Sequence, residues 1–306
     1  MTNRPLVSIL MNCFNGELYL EEALISVIKQ SYSNWELIFW DNKSTDRSLE
    51  IASKYKDKRI KIFTSSEHTN LGEARKNALK NVKGDYVAFL DVDDIWYEDK
   101  LEHQIKLFEE PNVGITFTNS VYFSYKRKKN LYKSKNNFTL NTNQLITNYF
   151  LSLQSIIIDF KKLKNLAYDF DPQYSHISDF DLIVRLSTIS KIKYLNKVLS
   201  GWRIHRNNES FKNNYLFNKE KLEWCNFHLN NNYLSNYWKE VKELKLLTYA
   251  ERRILENKFS LIELKKFNIN FFSNKKNKLF MIFSFVPILP RIIFSIKNLI
   301  FKLRWF

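Results

Sequence analysis

Cysteine, glycine and proline are scarce in this chain of 306 residues, which holds two, five and five of them. Two cysteines, Cys13 and Cys225, exclude a disulfide framework and match no metal-binding spacing, so a reducing compartment is expected. So little Gly and Pro excludes collagen-like and linker-dominated chains. A Gly-rich phosphate loop near the N-terminus is missing, which speaks against a nucleotidyltransferase. No apolar leader with a small-residue cleavage site precedes the strand-like residues 6–12, so no secretion signal is expected. An internal repeat is also absent.

What is abundant is apolar and basic. The hydrophobic fraction is 44%, and aromatics make up 16%, led by 25 Phe and 16 Tyr, enough for a core and further apolar surface. The net charge of +16 is unevenly spread. Residues 1–110 carry 15 Lys and Arg against 19 Asp and Glu, and residues 111–306 carry 33 against 13. A basic second part attracts polyanions, either nucleic acid or an anionic membrane leaflet. No helix-turn-helix, zinc-finger or RNA-binding signature supports a nucleic-acid-binding module, and the basic residues cluster beside an apolar tail, so no nucleic-acid partner is expected.

Hydrophobic periodicity organises the first ninety residues. LVSILMN (6–12) suits a buried strand, Asn15-Gly16 a turn, and Leu18, Leu20, Ala23, Leu24, Val27 and Ile28 recur at helical spacing. WELIFW (35–40) is a second strand, Ser44-Thr45-Asp46 caps a helix through Lys54, and RIKIF (59–63) is a third strand. A helix over 70–83 leads to the strand DYVAFL (85–90), which ends in Asp-Val-Asp-Asp. This alternation predicts a mostly parallel sheet with helices on both faces, binding ligands at the carboxyl ends of its strands. The polar clusters at 12–15, 41–46 and 91–94 fall at those ends. Beyond, a helix and the strand VGITFT are expected, then a basic hairpin over 121–137, a helix near 142–152, a strand at 154–158, a helix over 179–188 and a strand pair near 192–205.

Three segments are expected: a catalytic domain over 1–210, a helical extension over 211–270, and a basic apolar tail over 271–306. The tail's uninterrupted apolar run, Leu279–Pro290, has twelve residues, short of the roughly twenty that span a bilayer. With Lys275, Lys276 and Lys278 at its flank, it reads as a membrane-associating segment that lies in the headgroup region or enters and returns, with a packed C-terminal helix pair as the alternative.

Asp91-Val92-Asp93-Asp94 is the most informative motif. A D-x-D turn places two carboxylates within reach of one divalent cation, which can also hold a diphosphate and offset the charge that grows as it departs. Trp96, just past it, suits either stacking on a sugar or core packing.

Several stretches together resemble the family 2 glycosyltransferases of the GT-A fold, an α/β, Rossmann-like architecture. They are VSILMNCFNGELYLEEALISVIKQSYSNWELIFWDNKSTDRS, NLGEARKNALKNVKGDYVAFLDVDDIWYEDKL, SDFDLIVRL and WRIH, covering roughly residues 5–210 in the family's order. The resemblance implies an inverting, metal-dependent transfer of a hexose from a UDP-sugar to a lipid-linked or cell-surface glycan, as in polysaccharide or lipopolysaccharide synthesis. The tail and the charge split would place this at the cytoplasmic face of the plasma membrane, peripheral or monotopic.

By the same resemblance, Asn12, Phe14 and Asn15 line the nucleotide pocket. Asp41 and Asn42 occupy the family's acidic pair for uracil and ribose, with Asn replacing the second acid. Arg75 faces the diphosphate, as a permanently charged fork suits. Asp91 touches ribose or metal-bound water, Asp93 binds manganese or magnesium, and His205 completes the metal shell. The family's base lies in a Glu-Asp pair ahead of a helix; here that pair is Ser178 and Asp179, leaving Asp179 as the base. Asp181 is a fallback, although its first-turn position suits stabilising a helix N-terminus, and Asp46 reads as a cap.

Overall fold

The computed structural model of the protein describes residues 4–125, 127–132 and 136–256. Along the chain these form β1 (Val7–Cys13), α1 (Leu20–Ile28), β2 (Trp35–Asp41), α2 (Ser48–Ser53), β3 (Ile60–Thr64), α3 (Leu71–Leu79), β4 (Tyr86–Phe89), β5 (Ile95–Trp96) and α4 (Lys100–Ile105). Then follow β6 (Val113–Phe123), β7 (Lys128–Asn130), β8 (Phe138–Leu140), α5 (Thr142–Thr147), β9 (Ile156–Asp159), α6 (Phe160–Lys164), α7 (Ser178–Ser187) and β10 (Lys191–Arg203). Three helices close the described chain: α8 (Glu209–Lys212), α9 (Asn214–Asn230) and α10 (Trp238–Leu255). The contacts divide it into two units, one of residues up to Leu145 with Tyr149–Ile204, the other of Ile146–Asn148 with His205 onward.

The first unit is built on a sheet of order β3-β2-β1-β4-β9-β6-β10-β5, with β7 and β8 at its margins. Period-two alternation assigns the two faces of β1. Val7, Ile9, Met11 and Cys13 are buried with Leu20, Ala23, Leu24 and Val27 of α1, and alternate residues of β2 and β4, such as Leu37, Phe39 and Ala88, extend this core. Each Val, Leu, Ile, Met or Phe among them, fully buried, stabilises the fold by about 1.5–3 kcal/mol.

The mostly parallel expectation needs correcting, because the sheet is mixed. β1 pairs in parallel with β2 and β4, and β2 with β3, but β9 runs antiparallel between β4 and β6. A short apolar run such as IIID carries no sign of its direction, which is set by the long connection ahead of it. The strand pair expected near 192–205 is one 13-residue strand, β10, whose register against β6 shifts three times. The helix near 142–152 ends at Thr147, before a 3₁₀ turn at Leu153–Ser155. The basic hairpin is β6 returning through β7.

β6 is parallel to β10, and two antiparallel steps through β9 return it to the direction of β4. The ends of β1, β2, β4, β6 and β10 therefore open on one edge of the sheet, which carries the acid turn.

In the second unit, α9 and α10 pack on each other and bury Trp224, Cys225, Val241 and Ala250. The Trp238 indole donates to the His228 carbonyl at 3.0 Å. The tail expected to associate with a membrane lies outside the described residues, as does the extension beyond 256. Among the described residues no helix is long and apolar enough to cross a membrane.

Candidate active site

The loops after β1 and β2 are zipped together by side chains. Asn15 adopts a left-handed backbone (φ 53°), a conformation Asn tolerates, and its Oδ1 accepts from the Thr45 amide at 2.8 Å. Ser44 Oγ accepts from the Asn15 amide at 3.0 Å, and Ser48 Oγ from Gly16 at 2.9 Å. Asp46 accepts from the amides of Glu17 and Ser48, both at 3.0 Å, but it lies one residue ahead of the N-cap of α2, which is Arg47, so the expected cap is displaced by one position. Gly16 is required because a Cβ there would stand 2.7 Å from Val92 Cγ2, so the β1 loop rests directly on the acid turn.

Asp41 is buried, with both carboxylate oxygens 3.3 Å from the Ser44 amide. Asn42, also buried, is occupied at both ends of its side chain: Nδ2 donates to the Thr69 carbonyl at 2.7 Å, and Oδ1 accepts from the Thr69 hydroxyl at 3.0 Å. It clasps the loop ahead of α3. That clasp presents His68, whose ring lies 3.9 Å from that of Phe14, and Phe14 is 46% exposed. Asn12 and Trp40 are paired in register, and both Asn12 Nδ2 and Trp40 Nε1 are buried donors without an acceptor. An orphaned buried donor at a strand end marks a place where a ligand's oxygen or a water belongs.

Asn12 and Asp91 each lie two residues beyond the last paired residues, Leu10 and Phe89. The acid turn closes through the Asp94 amide on the Asp91 carbonyl at 3.1 Å. Arg203, at the end of β10, holds it: its amide donates to Asp94 Oδ1 at 2.8 Å and its Nε to the Asp93 carbonyl at 2.9 Å. The guanidinium is wedged between the rings of Tyr19 and Phe123, each 4.6 Å away. Burial pushes Asp94 well above the ordinary carboxylate range, and the charges of Asp93 and Asp91 push it further. Asp91 is also raised, first by desolvation; Asp93 and Asp179 add to the rise, while Arg75 opposes it.

Arg75 links the turn to α7. From α3 its buried guanidinium donates to Ser178 Oγ at 2.8 Å and reaches Asp91 Oδ1 at 3.5 Å. Gly72 allows this approach, since a Cβ there would meet the Tyr174 carbonyl at 2.0 Å. Asp179 is half-buried, and its Oδ2 accepts from the Tyr149 hydroxyl at 3.1 Å. Tyr149 is held well above the ordinary tyrosine range by desolvation and then by the Asp179 charge, so it is a neutral donor.

Two alternatives close. Asp181 is fully buried and paired with Arg185 at 2.6 Å, which removes it as a fallback base. Trp96 is a core residue, 3% exposed, with its indole donating to the Gln154 carbonyl at 2.8 Å.

The structure thus brings Arg75, Asp91, Asp93 and Asp179 into one electrostatic neighbourhood, and places Asn12 and Asp41 near the ends of β1 and β2 with Phe14, Asn15 and Asn42 in the loops that follow. His205 belongs to the second unit, where Nδ1 accepts from the Asn207 amide at 3.2 Å and Nε2 lies 3.1 Å from Asn208 Nδ2. Sequence reasoning missed His68, Tyr149 and Arg203. Only Arg203 had a signal, as a cation at the end of an apolar strand.

Among the described residues no group of three or more His, Cys, Asp or Glu could hold a metal ion. The acid turn still fits a divalent cation of the magnesium type, which takes one or two carboxylates and draws its other ligands from phosphate and water. Such a cation would relieve the part of the rise at Asp91 that the charges of Asp93 and Asp179 add to desolvation.

The family model described as "Glycosyl transferase family 2" matches residues 8–167. The UDP-Glc:alpha-D-GlcNAc-diphosphoundecaprenol beta-1,3-glucosyltransferase WfgD of Escherichia coli is 28% identical over 221 residues, 72% of this chain and 84% of its own. The putative teichuronic acid biosynthesis glycosyltransferase TuaG of Bacillus subtilis is 40% identical over 121 residues, 39% of this chain. The match spans about half the length of TuaG, at 48%, and of an uncharacterized glycosyltransferase of Haemophilus influenzae, at 49%. Among solved structures, residues 1–349 of Staphylococcus aureus TarS in complex with UDP superpose with a TM-score of 0.62 at 20% identity, covering 90% of this chain and 80% of that one. Mannosyltransferase PcManGT of Pyrobaculum calidifontis, in complex with GDP-Man and Mn2+, gives 0.60 at 14%, covering 97% and 88%.

Proposed function

The chain belongs to glycosyl transferase family 2, and from that premise we propose that it transfers a hexose from a UDP-sugar, with inversion, to a lipid-linked or cell-surface glycan in bacteria. The observation that carries this reading is Arg75, which joins the acid turn at Asp91 to Ser178, the neighbour of Asp179.

In this reading the exposed Phe14–His68 pair takes the face of the base, and Asp41 accepts from the uridine. Asn12 Nδ2 donates to an oxygen of the bound nucleotide. Asn42 holds the loop that carries His68 in place of reading the base itself. Arg75 offsets the diphosphate's charge. Asp93, with Asp91 beside it, would hold a manganese or magnesium ion, which supplies Lewis-acid neutralisation of the departing diphosphate.

Asp179 takes the acceptor hydroxyl's proton as that oxygen bonds to the anomeric carbon. The bond from carbon to the diphosphate oxygen breaks, and its electron pair leaves with UDP. An α-linked donor then yields a β-linked product. Acceptors carried on lipid, as in the name of WfgD, fit an enzyme working peripherally at the cytoplasmic face of the plasma membrane.

The test is a screen of UDP-, GDP- and dTDP-sugars with manganese, reading released nucleotide with and without lipid-linked acceptors. UDP release that depends on acceptor is expected; turnover with GDP- or dTDP-sugars alone would overturn the base assignment. His205 as a metal-shell residue is a separate proposal, checked by titrating manganese against the His205→Ala variant.

A further inference from the structure

We propose that Tyr149 is the positioning residue of the catalytic base, fixing one oxygen of Asp179 so that the other faces the acceptor hydroxyl. This rests on the reading of Asp179 as the base.

The two oxygens of Asp179 are differently placed. Oδ2 accepts the Tyr149 hydroxyl at 3.1 Å, and among the described residues Oδ1 has no hydrogen-bond partner. A carboxylate with one oxygen tied loses its freedom to rotate about the Cβ–Cγ bond, and its untied oxygen keeps a lone pair in one direction. Such pre-orientation is a recognised source of rate.

Tyr149 is itself fixed. Its ring stands edge-on to Phe180 at 5.2 Å and 90°, and Phe180 is the residue after Asp179 on α7. This contact sets the ring beside the start of α7, where its hydroxyl meets the carboxylate. Its contact is with Asp179 and not with Asp181, whose carboxylate is occupied by Arg185.

A donor to the charged form of an acid favours that form and keeps its pKa down. Ionisable groups that act on the pair include Asp91, whose pKa Asp179 raises, and Arg75 and Tyr132, which act on Tyr149. None of these is altered by exchanging the tyrosine hydroxyl for hydrogen. In Tyr149→Phe that donor to the base is lost, so the acid limb of kcat/KM moves to higher pH.

The experiment compares Tyr149→Phe with the unaltered full chain in acceptor-dependent UDP release across pH. The expected result is an acid limb displaced upward by roughly one pH unit, the loss of one charge-assisted hydrogen bond. At the pH optimum kcat should fall about tenfold with the KM for the UDP-sugar unchanged, as expected when orientation alone is lost. Phe180→Leu, which removes the ring contact but keeps the hydroxyl, should leave the acid limb where it was.

An unmoved acid limb in Tyr149→Phe, or an equal shift in Phe180→Leu, overturns the proposal. If Tyr149→Phe does not fold, a fluorinated tyrosine at position 149 keeps the ring and strengthens the donor. It should move the limb to lower pH, and no movement overturns the proposal. Asp179→Asn separates the two readings: retained turnover there removes Asp179 as the base, whereas a dead Asp179→Asn beside an unmoved Tyr149→Phe limb removes only the role of the tyrosine.

Discussion

The half of the sheet formed by β3, β2, β1 and β4 and the half formed by β9, β6 and β10 meet at the acid turn, yet they are wired differently. In the first, all pairings are parallel and neighbouring loops are tied by serine and asparagine side chains to the backbone of the adjoining loop. In the second, directions alternate at β9, and buried side chains reach across the sequence: Gln104 to Thr116 and Ser155, Lys100 to Ser155, Ser120 to Ser200. The difference teaches where tolerance lies. Losing one contact in the first half leaves a loop with other ties, while in the second a single exchange orphans a buried group.

Asp179→Asn is the sharpest way to separate the halves. Transfer should fall by roughly a thousandfold, within the usual worth of a positioned base, while UDP binding measured by calorimetry stays intact; a loss of binding would mean the halves are not separable. Arg75→Met strikes the seam between them. It should lower kcat/KM by about a hundredfold and lower Tm as well, since Asp91 and Ser178 lose their common partner; a variant that binds and turns over normally would break the comparison.

Lys100 tests the wiring of the second half alone. Burial holds its amine well below the ordinary lysine range, whereas the unfolded chain titrates near 10.4. Between the two pKa values the folded state carries the neutral amine while the unfolded chain still binds a proton. Stability should therefore rise with pH between the two pKa values, by up to about 1.4 kcal/mol per unit, and level off above the higher one. Denaturant melts of the unaltered chain against Lys100→Met should diverge with that sign, and parallel pH profiles would count against it. The smallest effect is expected in the first half: Phe14→Ala should weaken UDP binding about fivefold, the worth of one stacked ring, with kcat nearly unchanged.

The same contrast explains what could be read without coordinates. Asn12, Asp41 and Asp91 end strands whose apolar periodicity is plain, and their neighbours in space are the ends of adjacent parallel strands. Their gathering followed from local pattern. Tyr149 could not be found that way: it lies 30 residues from Asp179, in a loop without periodicity, and its pairing depends on how α7 packs. Arg203 stood inside a quoted motif, but its grip on Asp93 and Asp94 spans about 110 residues, and only the register of β10 reveals it. Asn42 was legible as a departure from the family's acid, though not as the clasp it forms, because Thr69 becomes its neighbour only through the β2–β3 pairing.

β10 carries a consequence for how this scaffold can change over generations. Its irregularities between Leu195 and Ser200 bring Arg203 to the acid turn on the correct face. Removing one residue between Ser200 and Arg203 would exchange inward and outward side chains from there on and send the guanidinium away from the turn. Length variation among descendants of this chain should therefore collect in the connections before Lys191, while the count of residues from Ser200 to Arg203 stays constant.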